Sequence, residues 1–124
     1  MTAQFLLDSV ILIDSFNGVV PAKRWLNSIK AKDAVISVVT LAEVLTGSPN
    51  IEQDMILLRQ YECLTIQPST AEISARLRKQ FKWKLMDAFQ AALAIEHKLT
   101  LITRNSKDFN PKIHPFVKMP YSIA

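Results

Sequence analysis

With 124 residues, 49% of them hydrophobic, the chain can bury a core without disulfides or metal staples, and a single compact domain over 1–124 is expected. Fifteen Lys and Arg against eleven Asp and Glu leave a net charge of +4, a mild excess that suits a polyanionic partner. The single cysteine excludes an internal disulfide, the two glycines, Gly18 and Gly47, exclude a Gly-rich phosphate loop, and no apolar run approaches the ~20 residues of a membrane span.

The N-terminal stretch "MTAQFLLDSVILIDSF" is apolar but is interrupted by Asp8 and Asp14 and has no basic segment before it, which is unlike a signal peptide. The chain therefore reads as cytoplasmic, with no membrane partner. Within that stretch "QFLL", residues 4–7, suits a buried strand, and "VILIDSF" after Asp8 and Ser9 suits a first helix or helical turn. Pro21 fits the first position of a second helix running to about Ala31, with Trp25, Leu26 and Ile29 as its apolar stripe. "AVISVV" is β-branched and reads as a strand; "TLAEVLTG" follows as a helix stopped by Gly47. Ser48-Pro49 opens another helix with Ile51, Met55 and Leu58 on one face, before a third strand at "CLTI". Ser69 and Glu72 have capping-box spacing for a helix to about Gln80.

"LMDAFQAALA", residues 85–94, is apolar nearly all round except for Asp87, so a buried helix is expected from about Met86 to Glu96. The strand "LTLIT", Leu99–Thr103, comes next. Pro111, Pro115 and Pro120 leave an irregular tail apart from a short edge strand over Phe116–Met119. Short apolar strands alternating with helices predict an α/β fold, a parallel sheet of four to five strands covered by helices on both faces.

In such a sheet the strand C-termini and the following helix N-termini share the ligand-binding edge. Asp8 after the first strand, Glu43 near the start of the helix after the second, Asp87 at the opening of the buried helix, and Asn105 with Asp108 after "LTLIT" all map there. Each also has a structural reading: Asp8 and Asp87 as helix caps, Glu43 as the partner of Thr40 in a capping box, Asn105 and Asp108 as turn residues. Caps need not gather at one point, however. Two carboxylates ~5 Å apart repel by roughly 3 kcal/mol at an effective dielectric near 20, so an acidic cluster calls for a cation. Oxygen ligands without His or Cys suit Mg²⁺ or Mn²⁺, ions able to activate water against a phosphoryl group.

The blocks "FLLDSVILID", "ISVVTLAEVLTG", "KLMDAFQAALA" and "LTLITRNSKDF", in that order and spacing, resemble the four motif blocks of PIN-domain nucleases, and at this size the VapC-type toxin ribonucleases of toxin–antitoxin pairs. The likeness spans nearly the whole chain and is weakest from about Ser48 to Gln80. It implies a three-layer fold and a Mg²⁺- or Mn²⁺-dependent endoribonuclease with one or two ions. By this resemblance Asp8, Glu43 and Asp87 are metal-holding catalytic acids, Asn105 or Asp108 is the fourth group, and Ser9 and Thr103 are supporting residues. It further implies a homodimer and a small antitoxin whose C-terminal segment covers the acidic groove. Two positions depart from the family pattern: Val10 stands in a usually polar pair, and Asn105 where many members have Asp.

Arg104, Lys107, Lys84 and Lys82 flank the blocks and suit either contacts to RNA phosphates or a solvated basic face. Trp83 and Phe81 suit packing better than base stacking. His97 and His114 are expected at the surface, and Asp14, almost two helical turns past Asp8, is not expected as a ligand. Two alternatives have the same length: a phosphoacceptor receiver-like signalling domain, which needs an acidic acceptor that "CLTIQPST" lacks after its strand, and a catalytically silent binding module of the same fold.

Overall fold

The computed structural model describes residues 3–122. Five strands, β1 (Phe5–Leu7), β2 (Ala34–Ser37), β3 (Glu62–Leu64), β4 (Thr100–Ile102) and β5 (Val117–Lys118), form one wholly parallel sheet in the order β3-β2-β1-β4-β5. Six helices connect them: α1 (Ser9–Phe16), α2 (Val20–Asn27), α3 (Val38–Thr46), α4 (Ile51–Leu58), α5 (Pro68–Phe81) and α6 (Leu85–Glu96). The expected parallel α/β architecture is observed, with five strands.

Alternation along the strands produces two cores. Leu6, Val35 and Leu101 point to one face, where α6 supplies Ala88, Ala91 and Ala94. Leu7, Ile36 and Ile102 point to the other, packing on Ile11, Leu12, Val44 and Leu58 from α1, α3 and α4. Both faces of the sheet are thus covered, which is why its strands are apolar throughout rather than alternating with polar residues. The two edge strands are the exceptions: β3 leaves Glu62 and Cys63 exposed, and β5 leaves Lys118 exposed.

Several element boundaries differ from the sequence reading. β2 stops at Ser37, because its Oγ accepts the Thr40 N–H and turns Val38 and Val39 into the first turn of α3. The N-cap of α3 is therefore Ser37, and Thr40 with Glu43 is not its capping box. α2 begins at Val20 with Pro21 in its first turn and ends at Asn27 rather than near Ala31. α4 starts at Ile51, capped by Asn50, whose side chain accepts from the Gln53 N–H. α5 starts at Pro68, and its capping box is Gln67 with Thr70. Ser69 and Glu72 do not form one. Ser69 and Thr70 instead donate to the Glu96 carboxylate, fastening α5 to the end of α6.

His114 is buried, contrary to the surface position expected from its Pro-rich surroundings. Its ring meets Phe81, Trp83 and Phe116, while Trp83 stacks on Phe81 and meets Phe109 edge-on. Burial lowers its pKa, because the apolar cluster disfavours the imidazolium. Phe81 and Trp83 are thereby committed to packing. His97 is exposed beyond α6, as expected.

Candidate active site

The chain moves outward from β1 through β2 to β3 and then crosses back to β4 on the opposite side of β1. The C-terminal ends of β1 and β4 therefore flank the point at which strand order reverses, where open α/β sheets bind ligands. Asp8 follows β1 there and Thr103 follows β4. The Asp8 N–H donates to the Ile102 carbonyl at 2.9 Å and carries the sheet pairing to the lip of this crevice.

Asp8 is buried and caps α1: its Oδ1 accepts the Ser9 N–H at 2.8 Å, and its Oδ2 accepts the Thr103 hydroxyl at 2.7 Å. Burial holds its pKa above the ordinary carboxylate value, against these donors, which favour the ionised form. Glu43 reaches the same rim from α3 and accepts the Ser9 hydroxyl at 3.0 Å. Partial desolvation raises its pKa, the Ser9 bond opposes that rise, and the neighbouring Asp8 charge adds to it.

Asp87 occupies the third position of α6, whose N-cap is Lys84 without a side-chain cap bond. Capping does not explain this carboxylate. Its pKa is pushed up to about 6, first by burial and then by the charges of Asp8, Asp108 and Glu43. The helix N-terminus favours the anion and so works in the opposite direction. Asp87 is thus crowded by acids carried on three other segments of the chain.

Asp8, Ser9, Val10, Glu43, Asp87, Arg104, Asn105, Ser106 and Lys107 line one open pocket of about 430 Å³. A comparable hollow of about 380 Å³ between α1, α2 and α4 contains Lys23 as its one charged residue and lacks acids. Asn105 and Asp108 are paired by two bonds, Nδ2 to Asp108 Oδ2 at 3.2 Å and the Asp108 N–H to Asn105 Oδ1 at 3.4 Å. Of the predicted basic residues, Arg104 and Lys107 stand in the pocket wall, whereas Lys82 and Lys84 are exposed on the α5–α6 turn outside it. Arg104 is engaged, donating Nε and Nη2 to the buried Asp14. Among the described residues no three His, Cys, Asp or Glu side chains are drawn together into a ready-made metal cage. The acids share a pocket without closing on a point.

A family model described as PIN domain matches residues 5–110. The chain belongs to the PIN-domain family. A structure described as a toxin-antitoxin complex from Klebsiella pneumoniae is 37% identical, covers 97% of this PIN domain and 100% of its own chain, and superposes with a TM-score of 0.89. FitAcB from Neisseria gonorrhoeae, at 23% identity over 97% of this chain and 100% of that one, has a TM-score of 0.79. VapBC2 from Rickettsia felis, solved with a promoter DNA fragment, is 23% identical over 91% and 94% of the two chains, with a TM-score of 0.72. These last two show a shared fold. None of the curated proteins compared with the chain matches it significantly.

Sequence reasoning missed the buried polar group behind this PIN-domain pocket. Gln90, Ser37 and Thr40 are all buried and hydrogen-bonded to one another, and Gln90 also reaches Asp8. A lone amide in an otherwise apolar buried helix was the available signal, because such a group must find partners. Asp14, with Arg104 and Tyr121 as its donors, is tied into the scaffold and not directed at the pocket.

Proposed function

We propose that this PIN domain, a single domain over 1–124, is a divalent-metal-dependent endoribonuclease and the toxin of a type II toxin–antitoxin pair. The carrying observation is that Asp8, Glu43 and Asp87, from three separated segments, line one open pocket at the sheet's switch point, where burial first and then the charges of Asp8, Asp108 and Glu43 push the Asp87 pKa up to about 6. Carboxylates so arranged repel each other until a cation joins them. The donor set, all oxygen with no His or Cys, fits Mg²⁺ or Mn²⁺, and its openness suits hard ions that keep several waters. Asp8, Glu43 and Asp87 would hold the ion, with Asn105 or Asp108 completing the set. When bound, the ion supplies charge stabilisation at the phosphoryl oxygens and lowers the pKa of a coordinated water.

The remaining work falls to the chain's own residues. Thr103 and the Ser9 N–H hold Asp8 in one orientation, and the Ser9 hydroxyl holds Glu43. Exposed Lys107 in the pocket wall offers positive charge to a backbone phosphate, which offsets the repulsion of RNA by the acids. The reaction adds water across a phosphodiester: the attacking oxygen joins phosphorus, the bond to the leaving ribose oxygen breaks, and that oxygen takes up a proton.

The toxin assignment is supported by the 37% identity to a chain of a toxin-antitoxin complex. Exposed Val20, Ile51, Ile56, Leu57, Leu85 and Met86 supply apolar surface of the kind that an antitoxin and a second copy in a homodimer would cover. No described helix is long and apolar enough to cross a membrane. Family membership and the absence of a carboxylate after β3, where Thr65 follows Leu64, argue against the receiver-like alternative.

The deciding experiment incubates purified protein with a mixed RNA pool in Mg²⁺ or Mn²⁺, with and without chelator, beside Asp8→Asn. Cleavage is expected from wild type with metal only. Protein that neither cuts RNA nor gains thermal stability from Mn²⁺ would be the silent binding module.

A further inference from the structure

Gln90 is 1% exposed and sits one helical turn after Asp87 on α6, on the same face. Its Oε1 accepts from the Ser37 hydroxyl at 2.7 Å. Its Nε2 donates to Thr40 Oγ1 at 2.7 Å and to Asp8 Oδ1 at 3.4 Å. The Thr40 hydroxyl donates onward to the Leu7 carbonyl at 3.0 Å, and Ser37 Oγ accepts the Thr40 N–H at 3.1 Å.

The orientation of the amide follows from its partners. A carbonyl only accepts, so Thr40 spends its one hydroxyl proton on Leu7 and must receive a proton from Gln90. The Asp8 carboxylate also only accepts when ionised. Both demands turn the NH₂ group toward β1 and leave the carbonyl oxygen for Ser37. An amide so constrained has one arrangement, and it joins the three elements bearing the acids: β1 with Asp8, α3 through its N-cap Ser37 with Glu43, and α6 with Asp87.

We propose that Gln90 is a positioning residue of the acidic site, clamping β1, α3 and α6 in register and orienting the Asp8 carboxylate so that the three acids present one cation-binding set. The inference rests on the metal-dependent reading above and deepens it. Because the acids do not close into a cage by themselves, their spacing is set by the scaffold behind them, and Gln90 is the side chain common to all three supports. The Asp8 bonds are unequal in consequence. Oδ1 is occupied by the Ser9 N–H and the Gln90 amide, while Oδ2 carries Thr103 alone, leaving Oδ2 the oxygen with room for a ligand.

The test compares wild type with Gln90→Met, which keeps the volume and loses the amide, and with Ser37→Ala, which cuts the clamp at its α3 end without touching Asp8. Three quantities are read: thermal stability without metal, Mn²⁺ affinity from the metal-induced rise in melting temperature, and kcat and KM for RNA. Removing a hydrogen-bond partner that orients a metal-holding side chain costs ~10–100-fold in metal affinity or activity. Gln90→Met is expected to weaken Mn²⁺ binding and lower kcat by about that factor with KM unchanged, because the amide lies behind the pocket wall; Ser37→Ala is expected to shift both in the same direction by less. A merely structural Gln90 would lower the melting temperature and leave Mn²⁺ affinity and kcat of the folded protein at wild-type values, which overturns the proposal. If Gln90→Met does not fold, wild-type Mn²⁺ affinity in Ser37→Ala overturns it equally. Wild type that binds Mn²⁺ without cutting RNA strikes the nuclease reading alone, and the affinity ratios still decide Gln90; wild type that does neither removes both.

Discussion

Arg104 donates Nε and Nη2 to the Asp14 carboxylate at 2.6 and 3.0 Å, joining residues 90 apart in sequence and fastening the loop that carries Asn105 to helix α1. Tyr121 donates its hydroxyl to the same carboxylate at 2.8 Å, so the C-terminal tail closes over the pair. Asp14 is 7% exposed and Arg104 36%, so one charge is buried and its partner is half in water. Such a two-pronged, charge-assisted pair fixes direction as well as distance.

Removing the acid's charge should therefore loosen the pocket wall. Asp14→Asn is expected to cost ~1–3 kcal/mol and Tyr121→Phe ~1 kcal/mol, measured by urea unfolding. The Arg104 guanidinium, with help from Tyr121, holds the Asp14 carboxyl below its ordinary value of 3.8, against the opposing effect of burial. A depressed carboxylate pKa stabilises the fold above the unfolded value and loses that contribution as pH falls through the folded one. Wild type should accordingly lose stability below about pH 4 more steeply than Asp14→Asn. Parallel acid limbs in the two proteins would show that the pair contributes nothing.

Asp8 and Asp87 were legible because each stands where a strand ends or a helix begins, and those boundaries are written locally: the apolar "FLL" before Asp8, the Ala-rich run after Asp87. Glu43, expected near the start of its helix, is instead the sixth residue of α3, because that helix already begins at Val38 behind its Ser37 cap. Their scaffold was not legible in the same way. In the sequence Arg104 suits a phosphate contact, because nothing within its own segment names Asp14 as its partner, and Tyr121 lies 107 residues from that acid. His114 is buried where its sequence predicts the surface, because the prolines around it indicate an irregular chain, while the aromatic cluster that buries it is assembled from α5, the turn after it and the tail. Local pattern specifies elements and their edges; which buried polar group meets which depends on how the elements are brought together.

Asp87 gives a stability test with an unusual sign. Its folded pKa of about 6 lies above the unfolded value of 3.8, so the folded protein holds this proton more tightly. The contribution of Asp87 to metal-free stability should then be fully present below about pH 4 and be lost as pH rises through about 6, where Asp87 ionises among other carboxylates. The shift corresponds to ~3 kcal/mol at most, which partial exposure reduces to ~1–2. Asp87→Asn should thus raise the melting temperature of the metal-free protein at pH 7.5 by several degrees while abolishing cleavage and most of the Mn²⁺-induced stabilisation. A lower melting temperature for the variant without metal would contradict the crowding on which the site is argued.

On the proposed reading Asn105 or Asp108 completes the set of metal-holding groups, and substitution separates the two. Asn105 lines the pocket, but its Nδ2 is spent on Asp108, whose charge contributes to the raised Asp87 pKa. Asp108→Asn should lower the pH at which Mn²⁺ begins to bind, because Asp87 then ionises more readily, while also weakening binding at saturating pH through the lost charge. Asn105→Asp replaces a donor with a like charge against Asp108 and should destabilise the metal-free protein while tightening Mn²⁺ binding. Mn²⁺ titrations from pH 5 to pH 8 measure both, and identical curves for Asp108→Asn and wild type would remove Asp108 from the site.

Ser9 distinguishes support of the acids from support of the fold. Its hydroxyl donates to Glu43 Oε1 at 3.0 Å, whereas its backbone N–H donates to Asp8 and remains in place whatever the side chain. Ser9→Ala therefore leaves the α1 cap intact and should cost less than ~1 kcal/mol of stability, the ordinary net value of one partly exposed hydrogen bond. Glu43, no longer tethered, would sample rotamers that point away from the pocket, and kcat should fall roughly tenfold. Ser9→Thr restores the hydroxyl and should recover most of the rate. If Ser9→Ala cleaved as fast as wild type, Glu43 would need no such tether, and its place among the metal-holding acids would rest on proximity to Asp8 alone.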